Sequence, residues 1–189
     1  MTEEICPKKI SQTENDSKEL FSKEDVEKAL DEMADQINKK LSETNPIILC
    51  TVIGGIIPTG LLLPRLNFPL QLDYIHATRY RGETKGGHLH WVKQPEMDLT
   101  DRTILIIDDI LDEGHTLEAI IDYCEAEGAK QILTAVLIEK DLPERPGLQR
   151  ADFTGIVADN EYLVGYGMDY KGYLRNMDSI SAVNIDHDN

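Results

Sequence analysis

Apolar residues in this chain fall into two patterns: short continuous blocks, and stretches spaced by three and four positions. A strand buried on both faces is apolar throughout. On that rule Ile47 to Ile53 (IILCTVI), Ile104 to Ile107 (ILII) and Ile132 to Ile138 (ILTAVLI) are buried strands. Leu70 to Thr78 alternates imperfectly and Phe153 to Val157 is short; both read as further strands. Helical spacing begins at Ser22, where Val26, Ala29, Leu30, Met33, Ala34, Ile37 and Leu41 share one face. Ser22 and Asp25 stand at the positions of a capping box. IIPTGLLLPRL, from Ile56, reads as a second helix with proline in its first turn. Leu117, Ile120, Ile121 and Cys124 form the face of a third, ended by Gly128. Strands alternating with helices predict right-handed βαβ units. The expected fold is α/β: a Rossmann-like, mostly parallel sheet flanked by helices.

Three stretches stand outside this alternation. Residues 1–20 are polar and aperiodic and read as a flexible N-terminal arm. RYRGETKGGHLHW, from Arg79 to Trp91, is rich in glycine and charge and reads as a mobile loop. The aromatic, glycine-punctuated tail from Glu161 to Met177 suggests a small hood formed by terminal segments. Residues 21–189 are thus expected to form a single domain, with its core at about 45–158 and its hood mainly at about 159–180.

Charge narrows the partners. Asp and Glu number 35 against 19 Lys and Arg, a net charge of −16, which argues against holding nucleic acid by phosphate neutralisation. No apolar run approaches the ~20 residues of a membrane span, and the first residues lack the apolar core of a signal peptide. Cys6, Cys50 and Cys124 are scattered without a C-x-x-C pair. They read as reduced thiols of a cytoplasmic protein, with Cys50 and Cys124 as small core hydrophobes. His88 and His90 form an H-x-H pair without a third ligand in register and read as exposed loop residues.

The chemistry concentrates in ILIIDDILDEGHT, Ile104 to Thr116, where a buried strand runs into acids and then a helix. Ligands of open α/β sheets bind at this carboxyl edge, and a helix start offers N–H groups to an anion. Glu113, Gly114, His115 and Thr116 could cradle a phosphate, with Gly114 allowing the close approach. Asp108 and Asp109 cannot hold phosphate, because carboxylates accept hydrogen bonds and do not donate them. They can accept from sugar hydroxyls, directly or through a hydrated metal ion. Phosphate on one side and vicinal hydroxyls on the other describe a ribose 5-phosphate.

The same stretch resembles the phosphoribosyl diphosphate (PRPP) signature of the type I phosphoribosyltransferases. TVIGG at 51–55 resembles their diphosphate loop and RYRGETKGGH their flexible catalytic loop. YLVGYGMDYKGYLR, 162–175, resembles the hood of the hypoxanthine-guanine branch. The resemblance spans about residues 45–180. It implies transfer of the 5-phosphoribosyl group from PRPP to hypoxanthine or guanine, giving the nucleoside monophosphate and diphosphate in purine salvage, with Mg2+ as cofactor. The loop Asp112 to Thr116 would take the 5-phosphate, and Asp108 and Asp109 the ribose hydroxyls or, through water, the metal. Asp112 would be the general base beside N7 of the purine. Ile53, Gly54 and Gly55 would turn backbone N–H groups to the diphosphate, joined by Arg175. Asp169, counted among the purine-binding residues, would also help hold a magnesium ion that neutralises the charge of the diphosphate. Lys140 would donate to a 6-oxo group, Tyr162 would stack on the base, and Leu163 would face its C2 edge. Arg79, Tyr80 and Arg81 belong to the flexible loop.

The chain departs from the family pattern in places. Ile53 stands where some members carry lysine, Arg79-Tyr80 where many have Ser-Tyr, and His115 where some relatives have lysine. A dimer or tetramer is expected. Two other readings stay open: a xanthine-preferring enzyme of the same fold, and a regulator that keeps the PRPP site but binds nucleic acid.

Overall fold

The computed structural model describes residues 7–79 and 89–184. Its elements in order are α1 (Pro7–Asn15), β1 (Lys18–Phe21), α2 (Lys23–Leu41), β2 (Ile47–Val52) and α3 (Ile56–Leu62), which continues into a 3-10 turn at Leu63–Arg65. Then come β3 (Gln71–Arg79), β4 (Leu89–Lys93), β5 (Thr103–Leu111), α4 (His115–Ala126), β6 (Gln131–Lys140), β7 (Phe153–Ala158), β8 (Leu163–Val164) and β9 (Ile180–Ala182).

The main sheet runs β4-β3-β2-β5-β6-β7. All neighbours pair in parallel except β3 with β4. Its central strands are apolar on both faces because helices cover both. On one side α2 buries Val26, Leu30, Met33 and Ile37 in the same cluster as Leu62, Leu105 and Leu137. On the other, Leu117, Ile120 and Cys124 of α4 pack with Ile47, Ile104 and Ile106. Each such side chain, fully buried, contributes about 1.5–3 kcal/mol. The predicted capping box is present: Ser22 N–H donates to Asp25 Oδ2 at 2.9 Å and Asp25 N–H to Ser22 Oγ at 3.3 Å.

Three sequence expectations change. The arm expected over 1–20 forms α1 and β1 in its described part; β1 pairs antiparallel with β9, placing Lys18 opposite Ala182. Its order comes from a partner more than a hundred residues away, which local periodicity does not reveal. The loop expected to run through Trp91 ends earlier, because Leu89, His90 and Trp91 join β4; the Trp91 ring lies 5.3 Å from that of Tyr123. Tyr80 to His88, including Tyr80 and Arg81 of the expected flexible loop, lie outside the described residues. Finally, β5 does not stop at Ile107 but runs to Leu111, so Asp108 and Asp109 are strand residues and the turn is only Asp112 to Gly114.

The hood is a second sheet of order β1-β9-β8. Ile10 of α1 packs under it with Val164, Tyr170, Leu174 and Val183.

Candidate active site

The chain leaves β2 towards β3 on one side of the sheet and β5 towards β6 on the other, so the sheet switches direction between β2 and β5. A crevice opens at such a point. Here the last β2–β5 pair is Cys50 with Ile107, while β5 continues beside β6 to the pair Leu111 with Glu139. Beyond that last β2–β5 pair β5 carries Asp108 and Asp109, level with Thr51 and Val52 of β2, and the Ile53–Gly55 loop folds over them.

Two cavities line this edge. One, of about 320 Å³, is bounded by Gly54, Asp109, Asp112, Lys140, Tyr162 and Arg175 among others. The second, of about 220 Å³, runs along Asp108, Asp109 and Asp112 to Gly114 and Thr116. Asp109, Ile110 and Asp112 border both, making one groove with two ends.

At the turn end, Gly114 caps α4 with φ of 81°, a left-handed conformation that suits glycine. At the hood end, Lys140 Nζ lies 3.2 Å from Asp112 Oδ2, with the lysine side chain buried and the carboxylate half exposed. Tyr162 is held edge-on to Tyr170, its hydroxyl donating to Asp169 O at 2.9 Å. Arg175 pairs with Asp169 through Nη2 and Oδ1 at 2.6 Å and donates through Nη1 to Gly167 O. Gly172 N–H also donates to Asp169, at 2.6 Å. The two residues assigned to the metal and the leaving group thus brace one another.

Asp108 and Asp109 are both buried. Burial first, then the neighbouring Asp109 charge, raises the Asp108 carboxyl well above the ordinary range. Burial also raises Asp109, opposed by the hydrogen bond from Asp108 and by the Arg175 charge.

The diphosphate loop departs from expectation at Gly55. Its N–H donates to Thr51 O at 2.8 Å and so is not turned to the groove. Gly54 does border the groove, while Ile53 projects outward, 53% exposed, after a cis Val52–Ile53 peptide. His115 is exposed at the helix start, in keeping with a backbone role.

Sequence reading missed Ile110 and Met168, which line the groove, and Arg145. The Arg145 side chain is almost fully buried; Nε donates to Asp112 O at 2.8 Å and Nη1 to Gln149 O at 2.6 Å. Nη2 donates to Lys140 O, and Glu139 Oε1 lies 3.7 Å from Nη1. A lone arginine in a proline-flanked loop carries no periodic signal; only its nearness to Lys140 could have marked it.

Among the described residues no group of three or more His, Cys, Asp or Glu could hold a metal ion by itself. Magnesium commonly takes one or two carboxylates and completes its shell with water and substrate phosphates. Asp169 and Asp109, both bordering the larger cavity, are hard oxygen donors of that kind.

Residues 16–171 match the family model described as the phosphoribosyl transferase domain. The chain belongs to the phosphoribosyltransferase family. The hypoxanthine-guanine phosphoribosyltransferase of Streptococcus pneumoniae is 30% identical over 173 residues, covering 90% of this chain and 95% of that protein. The hypoxanthine-guanine-xanthine phosphoribosyltransferase of Tritrichomonas foetus is 27% identical over 164 residues, covering 87% and 90%. A solved hypoxanthine phosphoribosyltransferase from Staphylococcus aureus superposes with a TM-score of 0.85 at 24% identity, covering 92% of this chain and 95% of that one. In this phosphoribosyltransferase, no helix of the described residues is long and apolar enough to cross a membrane.

Proposed function

We propose that the chain is a purine salvage enzyme that transfers the 5-phosphoribosyl group of PRPP to hypoxanthine or guanine. The observation that carries this reading is the Lys140–Asp112 pair beside Tyr162, opening into a groove that ends at the Gly114 turn.

In this reading the 5-phosphate lies at Asp112 to Thr116, against backbone N–H groups and the Thr116 hydroxyl. Asp109, and Asp108 behind it, accept from the ribose hydroxyls. The base lies on Tyr162, with Leu163 at its C2 edge. Lys140 has only donors, so it favours a 6-oxo group over the amino group of adenine. As N9 attacks C1 of the ribose and diphosphate departs, the ring must lose a proton; the Asp112 carboxylate accepts it at N7. Arg175, with Gly54 and the Ile53 peptide, meets the leaving diphosphate. Magnesium, when bound at Asp169 with Asp108 and Asp109 reaching its hydration shell, supplies charge neutralisation for that diphosphate.

Purified protein with PRPP and magnesium, assayed spectrophotometrically against hypoxanthine, guanine, xanthine and adenine, tests the proposal. Turnover of 6-oxopurines that chelation abolishes is expected; turnover of adenine alone would overturn it. Xanthine belongs in the series because the T. foetus relative is named for it.

We also propose a cytoplasmic location, in keeping with free, buried Cys50 and Cys124. A dimer or tetramer is supported by exposed Leu72, Tyr74 and Val92 on the neighbouring strands β3 and β4. Sedimentation velocity at micromolar concentration tests it, and a monomer would contradict it.

A further inference from the structure

We propose that Arg145 and the segment behind it are a positioning device that aims the phosphate turn and fixes its distance from the base-reading lysine. The inference rests on reading the Gly114 turn as the 5-phosphate site.

Three successive carbonyls of the turn are taken from behind. Asp112 O accepts from Arg145 Nε at 2.8 Å and Glu113 O from Gly147 N–H at 3.0 Å, while Gly114 O accepts from Leu148 N–H at 3.3 Å as well as from Glu118 N–H of α4 at 3.0 Å. None of Arg145, Gly147 and Leu148 borders the cavity in front of the turn. In a trans peptide the C=O of one residue and the N–H of the next point in opposite directions. Anchoring those carbonyls to the rear therefore aims the N–H groups of Glu113, Gly114 and His115 at the cavity. The fit is close: a Cβ at Gly147 would lie 2.5 Å from both Gly114 C and His115 N.

Arg145 does a second thing. The same guanidinium donates to Lys140 O, so it ties the last residue of β6 to the first residue of the turn. Glu139, held by the Thr154 hydroxyl at 2.8 Å, balances its charge. One planar, multiply donating group thus spans the carbonyls of Asp112, Lys140 and Gln149. Lysine, whose three donors share one nitrogen, cannot reproduce that planar fork. A site held a fraction of an ångström off its productive geometry loses much of its rate.

The test compares Arg145→Lys with Gly147→Ala in the full chain, measuring KM for PRPP, ribose 5-phosphate affinity and the hypoxanthine-to-adenine ratio. Active-site titration corrects for the folded fraction. Gly147→Ala is expected to raise KM for PRPP about tenfold or more, with base preference kept, because only the turn is displaced. Arg145→Lys is expected to raise that KM and also lower the hypoxanthine-to-adenine ratio, because Lys140 loses its tie. Wild-type KM and base preference per active site in both variants would overturn the inference, whatever the loss of folded protein. Should Arg145→Lys fail to fold, Gly147→Ala decides alone: unchanged KM for PRPP overturns the inference. Wild-type protein that neither binds ribose 5-phosphate nor turns over PRPP sinks the proposed function itself, a result distinguishable from inert variants of an active enzyme.

Discussion

Gly54 has no room for a side chain because the carboxylate of Asp109 occupies that place: a Cβ there would lie 2.5 Å from Asp109 Cγ. The contact joins the loop after β2 to the part of β5 beyond the last β2–β5 pair, across the point where the strand order reverses. Gly54→Ala must therefore push the Asp109 carboxylate out of position. We expect a folded protein whose KM for PRPP rises about tenfold or more, since small displacements at such a site are costly. Steady-state kinetics beside a thermal melt measure this; an unchanged KM would remove the contact as a determinant of binding.

Asp108 makes stability depend on pH. Burial and the Asp109 charge raise its folded-state pKa above the ordinary 3.8. Its contribution to stability is therefore complete below about pH 3.8, and is lost as pH rises through the elevated folded value. Asp108→Asn cannot ionise and still offers an oxygen to Asp109 N–H, a bond of 3.0 Å. The ligand-free variant should melt higher than wild type at pH 7–8, with the gap closing on acidification towards ~4. Equal melting temperatures across that range would contradict the raised ionisation.

Asp112→Asn tests the proton acceptor. The amide keeps the size of the carboxylate and can still accept from Lys140 Nζ, now 3.2 Å away. Turnover should fall by about 10²–10⁴-fold, the usual range for a lost general base, while PRPP affinity changes little. Single-turnover kinetics with an independent PRPP binding measurement separate the two. Undiminished turnover removes Asp112 from that role.

Lys140→Gln exchanges a donor-only group for one that also accepts. The hypoxanthine-to-adenine ratio of kcat/KM should fall by about tenfold or more, since a site that leaves a polar group unpaired discriminates strongly. A ratio equal to wild type would place 6-position selection elsewhere.

Cys124 lies in the core, where burial pushes its thiol up to about 12. Cys50 is also raised, again by burial. In a Cys6→Ser background neither should react with a thiol reagent at pH 8 until the protein unfolds. Rapid labelling of the native protein would show that one is accessible.

Sequence alone determined the parts of this protein whose order is local. Central strands apolar on both faces, the Ser22 capping box and the amphipathic face of α2 each carry their signal within a few turns of chain, so the α/β alternation was legible. The acid-rich run into Gly114 and Thr116 was legible for the same reason: a strand, a turn and a helix start adjoin in sequence. Tertiary structure decided what depends on distant partners. Lys18 to Phe21 become a strand only because β9 offers an edge. Asp108 and Asp109 of β5 are buried beside one another beneath the Gly54 loop, beyond the last pair that β5 makes with β2. Arg145 becomes part of the site only when β6 and β5 lie side by side and bring the carbonyls of Lys140 and Asp112 within reach of one guanidinium. Hydrogen bonds between segments far apart in the chain leave no period in the sequence, and it is those bonds that orient the turn.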